Sequence, residues 1–138
     1  MTLDAEMILK LYVQCDNTME VRNDGAGYLR VIPIVGGSFE GKLCGEVISG
    51  GADWNTTREN GVAHVFAKYL LRTEDGEYIA IENEGKIRFD EPSNMKTAPR
   101  FQVDSAGKYA WLNSGVYVGS LDVGVKENQV VITIFKMS

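Results

Sequence analysis

Asp53, Trp54 and Arg58 place a carboxylate, an indole and a guanidinium in one glycine-bounded stretch, residues 50–61, reading GGADWNTTRENG. A carboxylate can take or give a proton, and a guanidinium fork can hold an anionic or carbonyl oxygen. The same two groups can also form an ion pair that pins a loop. Either way, two side chains so close in one loop are expected within salt-bridge or water-bridge reach. Trp54 and Trp111 offer flat faces that stack on a planar ligand or fill a core. Tyr69 alternates with apolar residues, so its hydroxyl needs a partner if buried. Asn83 on a neighbouring strand, or a ligand, could supply it. Glu82 is a second carboxylate beside Asn83. A strongly raised pKa on Asp53 or Glu82 would favour a catalyst over a simple binder. His64, the single histidine, reads as a hydrogen-bonded structural residue.

Several other chemistries are disfavoured. Residues 36–42 spell G-x-x-x-x-G-K, but Leu43 stands where a phosphate loop has Ser or Thr. A strand pattern follows where the phosphate-binding helix should start. One histidine and two distant cysteines, Cys15 and Cys44, do not make a zinc site. No calcium-loop pattern occurs. The expectation is a protein with no metal and no cofactor. The cysteines read as buried thiols in a reducing compartment rather than as a disulfide.

The elements that must carry these residues read as strands. Residues 7–15 alternate apolar and polar, with Met7, Leu9, Leu11, Val13 and Cys15 on one face. Residues 28–34 form a second strand that Pro33 should end or confine to an edge. Glycine loops at 36–41 and 50–61 then flank a strand at 42–49. Residues 62–73 are the longest strand, with Val65, Ala67, Tyr69, Leu71 and Thr73 on one face. Asp75-Gly76 turns the chain back into 77–83, where Ile79, Ile81 and Asn83 share a face, and on through 86–90. Residues 91–99 read as a loop. Short strands follow at 100–104 and 109–113, then a hairpin of 116–126 and 129–137. The one weak helical stretch is 55–60. With 138 residues, 44% of them hydrophobic, the chain is expected to be a single domain with a real core. About eight to ten strands in sequence order point to an all-β, antiparallel, up-and-down barrel with little or no helix.

A net charge of −5 argues against a general nucleic-acid binder. No apolar run is long enough for a spanning helix, so no membrane partner is expected. No secretory signal pattern is visible, and the expected location is the cytoplasm. A homodimer is expected only because twofold dimers are the commonest oligomers.

The sequence resembles a known family. The residues are Gly36-Gly37-Ser38-Phe39-Glu40-Gly41, Leu43, Gly45, residues 50–54, Arg58, Asn60-Gly61 and residues 69–73 with Asp75-Gly76. They continue with Asn83, Gly85, Pro99-Arg100-Phe101 and residues 109–113. In this order they are similar to the domain of unknown function family 3237, over nearly the whole chain. The resemblance implies a small single-domain β-barrel and no settled activity. It also implies that Asp53, Arg58, Tyr69, Asn83, Trp111 and Asn113 gather near one barrel mouth. His64 stands where that family is expected to carry an acidic residue. Three functions compete. The first is an interior pocket for a small, partly aromatic, oxygen-bearing ligand, lined by Trp54, Tyr69, Glu82, Asn83, Trp111 and Asn113. The second is a cofactor-independent isomerase, cyclase or lyase using Asp53 as acid or base and Arg58 as oxyanion or carboxylate holder. The third is a structural protein with a filled barrel.

Overall fold

Alternation of apolar and polar residues produces one continuous sheet in the computed structural model, which describes residues 1–138. Its strands are β1 (Ala5–Cys15), β2 (Met19–Asn23), β3 (Tyr28–Gly41), β4 (Gly45–Thr57) and β5 (Ala63–Thr73). They continue with β6 (Tyr78–Ile87), β7 (Lys96–Gln102), β8 (Val116–Val123) and β9 (Gln129–Met137). All pairings are antiparallel, and β3 to β9 follow one another in chain order. β1 pairs with β9 on one side and with the second half of β3 on the other. That closes a ring of eight strands and leaves β2 outside it, attached only to the first half of β3. Closure removes the open edges that a flat sheet of this length would expose.

The two glycine stretches expected to be loops are strand. Residues 36–41 lie within β3 and residues 50–57 within β4. Their glycines serve bulges and close approach instead of turns. Gly37 has φ +130°, and a Cβ there would lie 1.9 Å from the Tyr12 carbonyl oxygen. A Cβ at Gly51 would lie 2.5 Å from Tyr69 Cβ. The β4–β5 register slips between Ile48 and Ala52, the interval that holds Gly50 and Gly51.

Other expectations also shift for local reasons. β3 continues past Pro33, whose carbonyl faces the crossover from β1 to β2 and accepts from Asp16 N at 2.9 Å. A proline nitrogen facing that gap loses no ladder bond. Met7 is exposed because a bulge between Met7 and Leu9 displaces it from the inward row. Residues 109–113 do not form a strand. Ala110–Asn113 is a 3-10 turn, as is Pro92–Asn94. Residues 55–60 hold no helix, and β7 begins inside the expected 91–99 loop. β2 was not foreseen.

Inward rows from β1, β5, β6 and β9 supply the core, including Leu9, Leu11, Leu71, Ile79, Ile81 and Ile134. Each such side chain stabilises the fold by about 1.5–3 kcal/mol through burial. Leu112, from the 3-10 turn, plugs the end of the barrel where β5 turns into β6. Tyr117 OH ties the turn down by donating to the carbonyls of Trp111 or Ser114, at 3.1 and 2.9 Å. No helix is long and apolar enough to cross a membrane.

Candidate functional site

The opposite end of the barrel is not filled. A cavity of about 680 Å³ opens there, between the inward rows of β1, β3, β4, β5 and β9 and the segment carrying Phe89, Pro92 and Met95. Its walls are largely aliphatic, with Val13, Ile34, Val65, Ala67, Ile87 and Ile132 among them. Into this lining the strand alternation projects Cys15, Asp53, Asn55, Tyr69 and Asn83.

These polar groups are poorly satisfied. The Tyr69 hydroxyl and the Oδ1 atoms of Asn55 and Asn83 are buried without a hydrogen-bond partner. So is Thr97 Oγ1, which lies close enough to Asn83 that a Cβ on Gly119 would meet both. Native proteins seldom leave buried polar atoms unpaired, and each such group signals strain, an ordered water or a ligand. Asp53 accepts from Phe66 N at 3.1 Å and forms no ion pair. Burial raises its pKa above the ordinary carboxylate value, against the opposing pulls of the Phe66 amide, Asn55 and the His64 charge. Burial likewise raises the Tyr69 hydroxyl, helped by Cys15 and Asp53. The Cys15 thiol is pushed up to about 11, by burial first and by Asp53 second, so it stays a neutral thiol.

The expected site residues do not gather at one mouth. Asp53, Tyr69 and Asn83 share the cavity. Arg58 does not join them. In an extended strand, five residues span about 16 Å and an odd step reverses the face. Arg58 accordingly sits exposed at the β4–β5 turn, its backbone N donating to Val62 O at 2.9 Å, with no ion pair to Asp53. The anticipated Asp53–Arg58 pair is therefore absent, because a loop was expected where a strand forms. Trp54 is 54% exposed on the outer wall, in a shallow apolar hollow with Met19, Pro33 and Phe66. Glu82 also faces outward, in register between Lys68 and Arg100. Trp111 and Asn113 lie at the plugged end. Lys136 Nζ sits 5.5 Å from the Trp111 ring centre. The Asn113 side chain accepts from Val103 N and donates to Val103 O, at 2.9 and 3.0 Å, as a clasp for its own loop.

His64 is on the outer wall, its Nε2 2.7 Å from Glu84 Oε2. Cys44 is exposed, contrary to the expectation of a buried thiol, and both cysteines are free. Sequence reasoning missed Asn55, Cys15 and Thr97. For Asn55 the signal was available, since it follows Asp53 by two residues and strand parity puts both on one face.

A closed antiparallel barrel, plugged at one end and hollow at the other, defines the class. The chain belongs to the family described as "Protein of unknown function (DUF3237)", which matches residues 3–137. It is 33% identical over 135 residues to a UPF0311 protein of Bradyrhizobium diazoefficiens, covering 86% of this chain and 88% of that one. A crystal structure described as a beta-barrel like protein from Acinetobacter baumannii superposes with a TM-score of 0.87 at 29% identity, covering 100% of this chain and 98% of that one. A conserved protein of unknown function from Rhodopseudomonas palustris superposes with a TM-score of 0.88 at 26% identity, covering 100% and 99% of the two chains.

Proposed function

We propose that this protein binds a small, partly aromatic, oxygen-bearing molecule inside the open end of its barrel. The observation that carries this reading is the cavity of about 680 Å³ lined by Asp53, Asn55, Tyr69 and Asn83, the last three each carrying a buried side-chain oxygen without a hydrogen-bond partner. That volume falls within the roughly 300–1,000 Å³ typical of small-molecule sites, and so does the lining, mostly apolar with a few polar groups. Tyr69 contributes the aromatic face, and the polar cluster meets the ligand's oxygen. The unfilled interior speaks against the structural-protein reading.

A second reading makes the cavity a cofactor-independent active site for an isomerisation, cyclisation or elimination, with Asp53 as the proton-transferring group. Its support is the upward pKa displacement of Asp53 by burial, which moves a carboxylate toward the range useful to a general acid or base. Arg58 has no part in this version. Charge developing on a substrate oxygen would instead meet Tyr69 and the Asn83 amide.

Calorimetric titration with a panel of phenols, aryl alcohols and aryl ketones tests the first reading. Both tryptophans lie outside the cavity, so intrinsic fluorescence is a poor reporter. Saturable binding should vanish in Ala67→Leu, which fills the cavity, and persist in Arg58→Ala. Binding that survives Ala67→Leu, or is lost with Arg58, would move the site elsewhere.

A further inference from the structure

The charges around the cavity are one-sided. Asp53 is its one ionisable carboxyl in the interior, and Asp16, Asp122 and Glu127 line the rim against a single exposed cation, Lys126. Arg30 stands opposite Asn55 in register, on the same face and with its Nε buried without a hydrogen-bond partner, but it does not line the cavity. It places its guanidinium over the Tyr28 ring, 5.5 Å from the centre. An acidic rim alone would mean little. Here it surrounds three side chains, Asn55, Tyr69 and Asn83, each more than nine-tenths buried, lining the same cavity and carrying an oxygen without a hydrogen-bond partner.

We propose that Asp53 is the specificity-determining residue of this cavity, admitting uncharged ligands that present a hydroxyl and excluding carboxylates. The proposal rests on the ligand-binding reading above. An ionised carboxylate only accepts hydrogen bonds, so the ligand atom beside it must donate. A hydroxyl does so and can accept in turn from the Asn83 or Asn55 amide. A carboxylate ligand would bring a second negative charge against aliphatic walls whose interior lining holds no cation. Repulsion of the wrong ligand is a common route to specificity. The geometry thus reverses the preference for aromatic acids that an inward-facing Arg58 would have given.

Cinnamyl alcohol, cinnamate and methyl cinnamate share one skeleton and separate charge from shape. Titrated calorimetrically into the wild type at pH about 8, where cinnamate is ionised, the alcohol should bind best and the ester, which offers no donor to Asp53, at least about threefold more weakly. Cinnamate should bind about tenfold more weakly than the ester or worse. In Asp53→Asn the gap between cinnamate and alcohol should close to about threefold, and in Asp53→Glu it should remain. Circular dichroism checks both variants. If Asp53→Asn does not fold, the wild-type ester and acid still decide, because they differ in charge at nearly constant shape. Equal binding of ester and acid overturns the proposal, as does a gap unchanged in folded Asp53→Asn. Absence of saturable binding by all three probes overturns the ligand-binding reading and this inference with it.

Discussion

The two ends of the barrel are built from the same strands and solve opposite problems. At the β5–β6 hairpin end, the inward row runs through Leu71 and Ile79, and Leu112 fills the remaining space from a 3-10 turn. Polar groups there are paired: Asn113 with Val103, Tyr117 with the turn carbonyls, and Asp75 with Tyr109 and Lys108. At the other end, the same strands carry Ala67, Val65, Asn83 and Asn55 inward. A cavity lies between them, and the Oδ1 atoms of Asn55 and Asn83 have no partner in the protein. One end spends its residues on stability. The other holds small and polar residues where larger apolar ones would pack better, which is the pattern expected of a site.

The largest effect should come from breaking the filled end. Leu112→Ala removes a side chain that is 1% exposed and opens a void in the core. It should cost about 2–5 kcal/mol, read as a lower urea midpoint with an unchanged slope. A cost under about 1 kcal/mol would mean that the 3-10 turn is a loose cover and that the two ends differ little in packing.

A smaller effect of opposite sign should come from the hollow end. Tyr69→Phe and Asn83→Leu each remove a buried group that has no partner. Leaving such a group unsatisfied costs about 1–3 kcal/mol, so both variants should be as stable as the wild type or more stable, by up to about that amount. Thermal unfolding monitored by circular dichroism reads the change. Both should weaken binding of any cavity ligand. Loss of stability in either variant would show that the polar groups are satisfied by ordered water and belong to the architecture.

The legible and illegible parts of this fold divide on one physical point. Strand alternation depends on parity alone, so the inward row of Val65, Ala67, Tyr69, Leu71 and Thr73 could be read from the sequence, as could Ile79, Ile81 and Asn83. Glycine is ambiguous, because the freedom that permits a turn also permits a bulge or a close strand contact. Reading residues 50–57 as a loop brought Asp53 and Arg58 together and hid the partnership of Asp53 with Asn55. Trp54 was misplaced by the same error, since it occupies an outward position on β4, whereas Glu82 was placed against the alternation itself, which puts it on the face opposite Asn83. Trp111 and Asn113 needed knowledge of which end of the barrel the 109–113 segment covers. No periodicity encodes that.

The smallest effects are the pH dependences of the two ends, and their signs are opposed. Asp75, in the β5–β6 turn at the filled end, has its carboxyl held well below the usual range by Lys108 first and then by Thr73 and Tyr109. A lowered folded-state pKa contributes stability that is present above the ordinary value of 3.8 and is lost as the pH falls through the folded-state pKa. Asp53 is displaced the other way by burial. Its protonated form is the one the fold prefers, so its relative contribution is present below 3.8 and is lost as the pH rises through its folded-state pKa. Asp75→Asn should therefore be less stable than the wild type at neutral pH, with the difference vanishing in acid. Asp53→Asn should match the wild type in acid and become the more stable of the two as the pH rises. Asp75 is exposed, so salt should shrink its effect, whereas the half-buried Asp53 should respond less. Denaturant melts of the three proteins from about pH 3 to 8, at low and high salt, would resolve both curves. If the two variants diverge from the wild type in the same direction, Asp53 has a cationic partner in solution that its present surroundings do not supply, and the contrast between the ends fails at the residue on which the proposed specificity depends.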